Sequence, residues 1–166
     1  MSKLVFIITI LISFFMKDEP KVETVRNLFY EASVNKSAAA KFQKALSVVD
    51  KNSSPVLLCY KGVAEMMQAK HVFSPFIKLA KFKNGKSMIE ESISRDPDDL
   101  ELRFLRFSIQ SNLPAFLNYD SQIPGDKKKL INGYSRIKDV ELRRRVVDYL
   151  STSKYCTVDE LKKISK

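Results

Sequence analysis

GKSMIEESISRDPDDLELRFLRFSI, residues 85–109, decides the fold, because it reads as two helices joined at a corner around which the other segments can be arranged. Met88, Ile89 and Ile93 recur at helical spacing and make one apolar stripe. Asp96-Pro97 then ends that helix, since the residue before a proline is pushed out of the α region. Asp98 is placed to cap a second helix. With Glu101 three residues later it forms an acidic counterpart of the capping box, and both acids suit the positive end of a helix dipole. The second helix carries Leu102, Leu105 and Ile109 on one stripe and Leu100, Phe104 and Phe107 on another, which is the pattern of a helix sandwiched between neighbours. Arg103 and Arg106 fill the remaining arc and read as a solvated face.

Upstream, Ser54-Pro55 and Ser74-Pro75 are two copies of one start signal: a hydroxyl residue to cap and a proline whose missing N–H is harmless at the first helical position. The helix after Pro55 is apolar over a wide arc, with Gly62, Ala64 and Ala69 allowing close approach, and is expected to be central. The helix after Pro75 places Ile77, Leu79, Ala80 and Phe82 on its apolar side, with Asn84-Gly85 as a weak point. Nearer the N-terminus, Val22, Val25, Leu28, Phe29 and Ala32 mark a first amphipathic helix, and Ala38, Phe42, Ala45, Leu46 and Val49 a second. Downstream of Asn112-Leu113-Pro114, residues 113–125 read as an ordered loop pinned by Phe116, Leu117, Tyr119 and Ile123. Leu130, Ile131, Tyr134 and Ile137 mark another helix, Asp139 caps the next, and Thr157 with Glu160 opens the last. No stretch alternates with period two for long enough to argue a sheet. The expectation is an all-α chain of about eight helices, in antiparallel pairs that must stack because no pair buries its apolar face alone.

With 166 residues and 45% hydrophobic content, the chain is sized for a folded domain with a real core, while four glycines and no tryptophan argue against a turn-rich β sandwich. A formal charge of +10 favours anionic partners or surfaces. Lys3 precedes an apolar run at residues 4–15, after which Lys17-Asp18-Glu19-Pro20 is polar. Such a run falls short of crossing ~30 Å of hydrocarbon at ~1.5 Å per residue and matches the core of an export signal. Residues 1–19 are therefore expected to be a signal peptide or an N-terminal membrane-associated segment, although Phe15 and Met16 are too large for a good cleavage site. Residues 20–166 are expected to form a single helical domain, with a repeat-like core at 20–112 and C-terminal helices at 113–166. The expected location is exported, periplasmic or held at a membrane by the N-terminal segment. Of the two cysteines, Cys59 reads as a buried free thiol, and its pairing with Cys156 in an oxidising compartment stays open.

Catalytic chemistry finds few candidates. His71 is the only histidine and reads as a helix-end residue. There is no GxSxG, SxxK or phosphate-cradling loop, and Gly85-Lys86-Ser87 lacks the upstream glycine and strand of a P-loop. Asp96, Asp98, Asp99 and Glu101 lack the spacing of a calcium loop and read as helix caps. No cofactor or metal is expected. The basic runs Lys127-Lys128-Lys129 and Arg143-Arg144-Arg145 remain. If their helices are antiparallel neighbours, Lys128 and Arg144 share a surface with Lys162 and Lys163, and these four are the candidate anion- or partner-binding residues. A solvated face is the plainer reading, and an anionic membrane surface is the functional one.

An internal spacing bears on the fold. Ala38, Phe42, Ala45 and Asp50 stand at offsets zero, four, seven and twelve, and Gly85, Ile89, Ser92 and Pro97 repeat those offsets. Small residues at the first and third places permit close helix contact while the large apolar residue fills the gap. This pattern resembles the second helix of a tetratricopeptide repeat, and Val22, Val25 and Phe29 match that family's large apolar positions. The two sets are 47 residues apart, against about 34 in the family, Asp50 stands in place of proline, and Arg26 in place of glycine. The resemblance implies a right-handed α-α superhelix whose concave face holds peptides or protein segments. The whole chain is also similar to small exported bacterial proteins of unknown function with such a core. The expectation is a non-enzymatic exported scaffold that binds an unidentified protein or peptide. The alternative is a cytosolic nucleic-acid-binding protein using its basic C-terminal helices, a partner class that export would disfavour.

Overall fold

A computed structural model describes residues 18–164, and among these it contains helices, turns and loops but no strand. The expected signal or membrane-associated segment lies, apart from Asp18 and Glu19, outside the described residues. The described elements are α1 (Val22–Val34), α2 (Lys36–Ala45), α3 (Pro55–Ala69), α4 (Pro75–Arg95), α5 (Leu100–Asn112), α6 (Ile123–Gly133), α7 (Val140–Thr152) and α8 (Val158–Leu161), with short 3-10 turns at Ala115–Leu117 and Tyr134–Arg136. The all-α reading and its helix number agree with this.

Local chemistry sets most helix starts. Asn35 accepts from the Ser37 N–H, Ser54 from Leu57 N–H, and Asp139 from Leu142 N–H. Thr157 and Glu160 form a complete capping box. At α5 the cap is Asp99, which accepts from the N–H groups of Glu101 and Leu102 at 2.7 and 3.0 Å, and not Asp98. Asp98 is exposed and pairs with Lys129. Ser74 makes no side-chain cap bond, although Pro75 does open α4.

Antiparallel neighbours then stack. α1 packs on α2, α3 on α4 and α5 on α6, while α7 lies against α5. The α3–α4 pair is drawn together at Gly62 and Gly85. A Cβ on Gly85 would stand 2.5 Å from the Gly62 carbonyl oxygen, and one on Gly62 would stand 2.7 Å from the Gly85 oxygen. Asn84-Gly85 is therefore no break: α4 runs unbroken through it, because the missing side chain there lets two backbones meet.

Helix α5 divides the core between its faces. Leu102 and Leu105 join a cluster built by α1 to α4, in which Phe29, Phe42 and Tyr60 pack ring against ring. Each such aromatic contact adds about 0.5–1.5 kcal/mol beyond simple burial. Phe104 and Phe107 join a second cluster with Leu130, Val146 and Leu150. The sandwiched-helix expectation thus holds.

Its arginines do not follow. Arg106 is 3% exposed, and its guanidinium is bidentate to Asp126 at 2.7 and 2.8 Å with Glu90 at 2.6 Å. Arg103 adds a bond to the same Asp126. The expected solvated face is a buried ion-pair cluster joining α4, α5 and α6. The segment at 113–125 also departs from expectation. Tyr119 is buried and donates to Glu90, but Phe116 projects into solvent, and α6 begins at Ile123 with Pro124 in its first turn. Its helix stops at Gly133, short of the expected Ile137.

Candidate functional site

Helices α1, α3 and α5 are the first members of successive pairs, and their C-terminal halves converge on one groove. Its volume is about 590 Å³, within the ~300–1,000 Å³ typical of ligand sites. Phe29, Ala32, Met67, Phe104 and Ile109 form a buried or half-buried apolar floor. Ser33, Asn35, Lys70, His71 and Asn112 form an exposed polar rim. No carboxylate lines it, so Lys70 sets its sign.

One wall is built by tyrosines. The Tyr149 hydroxyl donates to the Ser108 carbonyl at 3.2 Å and accepts from Asn112 Nδ2 at 2.7 Å, which ties α7 to α5. Tyr30 lies under the Arg145 guanidinium, 3.6 Å from the ring centre. Its hydroxyl is buried and has no hydrogen-bond partner among the described residues. A buried hydroxyl of that kind carries a desolvation cost.

Burial pushes the Tyr30 phenol up to about 12, although Arg145 opposes the shift. The folded chain therefore keeps a proton that the unfolded chain has released above about 10. Stability is retained below that value and falls as pH rises towards 12. Tyr30→Phe should lessen this alkaline loss, as denaturant titrations at successive pH values would show. An unchanged pH dependence would mean that Tyr30 is not shielded in solution.

Away from the groove, buried charges fix the helices. Arg26 of α1 is bidentate to Glu101 of α5 at 2.8 Å twice and reaches Asp139 at the start of α7. Tyr60 of α3 donates to the same Glu101 at 2.7 Å. The hydrogen bonds that Arg26 donates to Glu101 hold it more firmly protonated than usual, while burial pushes the Tyr60 phenol up. Four helices thus meet on one carboxylate and one guanidinium, each already partnered. This arrangement holds elements in place.

The residues expected at an anion or partner site fall on separate elements. Lys128 is exposed on α6 and makes no ion pair among the described residues. Arg144 on α7 is held between Glu141 and Asp148, each at 2.7 Å. Lys162 pairs with Asp159, and the Lys163 carbonyl accepts from Tyr134. One ion pair joining α6 to α8 is that of Lys127 with Glu160, and Lys127 also donates to the Tyr155 carbonyl ahead of α8. Both cysteines are free, Cys59 in the first core cluster and Cys156 half-buried. Among the described residues no group of acidic, histidine or cysteine side chains is placed to hold a metal ion, and no helix is long and apolar enough to cross a membrane. The groove residues carried no sequence signal of their own, because Phe29, Met67 and Ile109 are indistinguishable from core positions until the helices are stacked.

Neither a protein-family model, nor a curated protein, nor a solved structure matches this chain. Groove chemistry therefore carries the functional reading.

Proposed function

We propose that the protein is a non-enzymatic, exported helical scaffold that holds a short protein or peptide segment in the groove where α1, α3 and α5 end. The observation that carries this reading is the groove itself: an apolar floor and a polar rim that no carboxylate interrupts. A segment with one or two large apolar side chains and an acidic group suits it, since Lys70 and His71 face no carboxylate there. The offsets shared by residues 38–50 and 85–97 resemble those of tetratricopeptide repeats, whose arrays take peptides on a comparable face. Export rests on the lysine and apolar run of residues 3–15.

A test is selection of random peptides on the full chain. Enriched sequences should combine apolar and acidic residues, and Lys70→Glu/His71→Glu should weaken them by roughly tenfold or more, about 1.4 kcal/mol. Both side chains are exposed, so the fold is not at stake. Absence of enrichment, or binding indifferent to both changes, would remove the reading. The alternative nucleic-acid reading draws on the +10 charge, but Arg144 and Lys162 are engaged by neighbouring carboxylates.

A further inference from the structure

A second surface lies at the tip of the α3–α4 hairpin, the end opposite that where Arg95 bonds to the Ser53 carbonyl. The first six residues of α4, 75–80, are all exposed. Phe73 in the connecting turn is 100% exposed and Phe76 is 85% exposed, with Ile77 and Leu79 about half exposed beside them. Large apolar side chains grouped on a protrusion mark an interaction site.

The charge around them is one-sided. From residue 66 to residue 89 the chain has five lysines and neither aspartate nor glutamate. Lys70, Lys78 and Lys83 are exposed and make no ion pair among the described residues, whereas Lys81 reaches Glu65 and Lys86 lies over the Tyr119 ring. We propose that this tip docks on a bilayer containing anionic lipid, with Phe73 and Phe76 entering the interface and Lys70, Lys78 and Lys83 meeting headgroup phosphates.

A bilayer fits better than a protein for two reasons. Protein interfaces are depleted of lysine at their centres and need roughly 800 Å² a side, whereas a narrow tip enters a fluid surface without a matching cavity. A second copy of this chain would bring lysines against lysines. Aromatic rings with basic residues around them are the ordinary composition of an interfacial anchor. The inference shares Lys70 with the groove but does not require the groove reading, since Phe73, Phe76, Lys78 and Lys83 lie outside the groove lining.

The chain has no tryptophan, so Phe76→Trp in the full chain places a single tryptophan at the tip, excited selectively at wavelengths where the six tyrosines do not absorb. With vesicles of equal parts phosphatidylcholine and phosphatidylglycerol, its emission should move to shorter wavelength and be quenched by brominated acyl chains. Pure phosphatidylcholine should give a much smaller response, and free glycerol phosphate none. In that background Phe73→Ser should weaken binding roughly tenfold or more, and Lys78→Gln/Lys83→Gln by roughly fivefold per charge.

Three results would overturn the proposal. Emission that stays water-like while the protein sediments with vesicles would place membrane contact elsewhere, at the N-terminal apolar run for instance. Emission already shielded without lipid, and released by removing residues 1–17 or by dilution, would give the tip to that run or to a second copy. A response unchanged from that of the Phe76→Trp parent in both the Phe73 and the lysine variants would show that neither group contacts lipid.

Discussion

Glu101→Ala is expected to lower the free energy of unfolding by about 3–5 kcal/mol, the cost of leaving a buried charge without its partner. Arg26 is 8% exposed and loses two of its three carboxylate bonds, keeping only Asp139, while the Tyr60 hydroxyl loses its acceptor. Replacing both charges, as Arg26→Met/Glu101→Leu, should recover part of the loss, because the desolvation cost of the ion pair disappears together with its attraction while the Tyr60 hydroxyl stays without its acceptor. Chemical denaturation of the three proteins at neutral pH decides the matter. A single-variant loss below about 1 kcal/mol would put Arg26 in the range of surface pairs, with water able to reach it.

Gly85→Val should cost at least the upper part of the ~1–3 kcal/mol that overpacking normally costs. Replacing glycine within an exposed helix usually helps, by up to ~1 kcal/mol for alanine. Here the sign is reversed, since the added Cβ would meet the Gly62 oxygen at 2.5 Å and Met66 Cγ at 2.6 Å. Met66 can swing aside, but a backbone carbonyl in the middle of α3 cannot without opening the hairpin. Gly125 in the first turn of α6 provides the internal comparison, having nothing within 4 Å of its missing Cβ. Gly125→Ala should stabilise by about 0.5–1 kcal/mol. Thermal unfolding of both variants should move in opposite directions, and a neutral Gly85→Val would mean that the two helices are farther apart than described.

Much of the architecture was legible because its signals are local. Ser54-Pro55, Asp139 and the Thr157–Glu160 pair act within one turn of where they stand, and the two apolar stripes of α5 are visible in thirteen consecutive residues. Long-range partnerships were not legible. Arg106 looked like a surface residue because Asp126, twenty positions on, shows nothing in its own neighbourhood that points back. The same holds for Arg26 and Glu101, separated by 75 positions. Gly85 misled in another way: glycine weakens a lone helix, and only the helix opposite reveals that it is needed. At the start of α4 the error ran the other way. Ile77, Leu79 and Ala80 carry a core-like spacing, yet the neighbours of α4 are α3 and α5, and their contacts leave its first six residues uncovered. The groove was invisible for a related reason, being the space left where three helices stop.

Helix α5 lends one flank to each apolar cluster and places Glu101 and Arg106 in separate charge clusters. The stretch before Asn112 and the stretch after it are therefore not separable modules. Cutting the chain there would strip Phe104 and Phe107 of cover and orphan Arg106 in the same stroke, so one melting transition is expected and a lesion in either half should be felt by both.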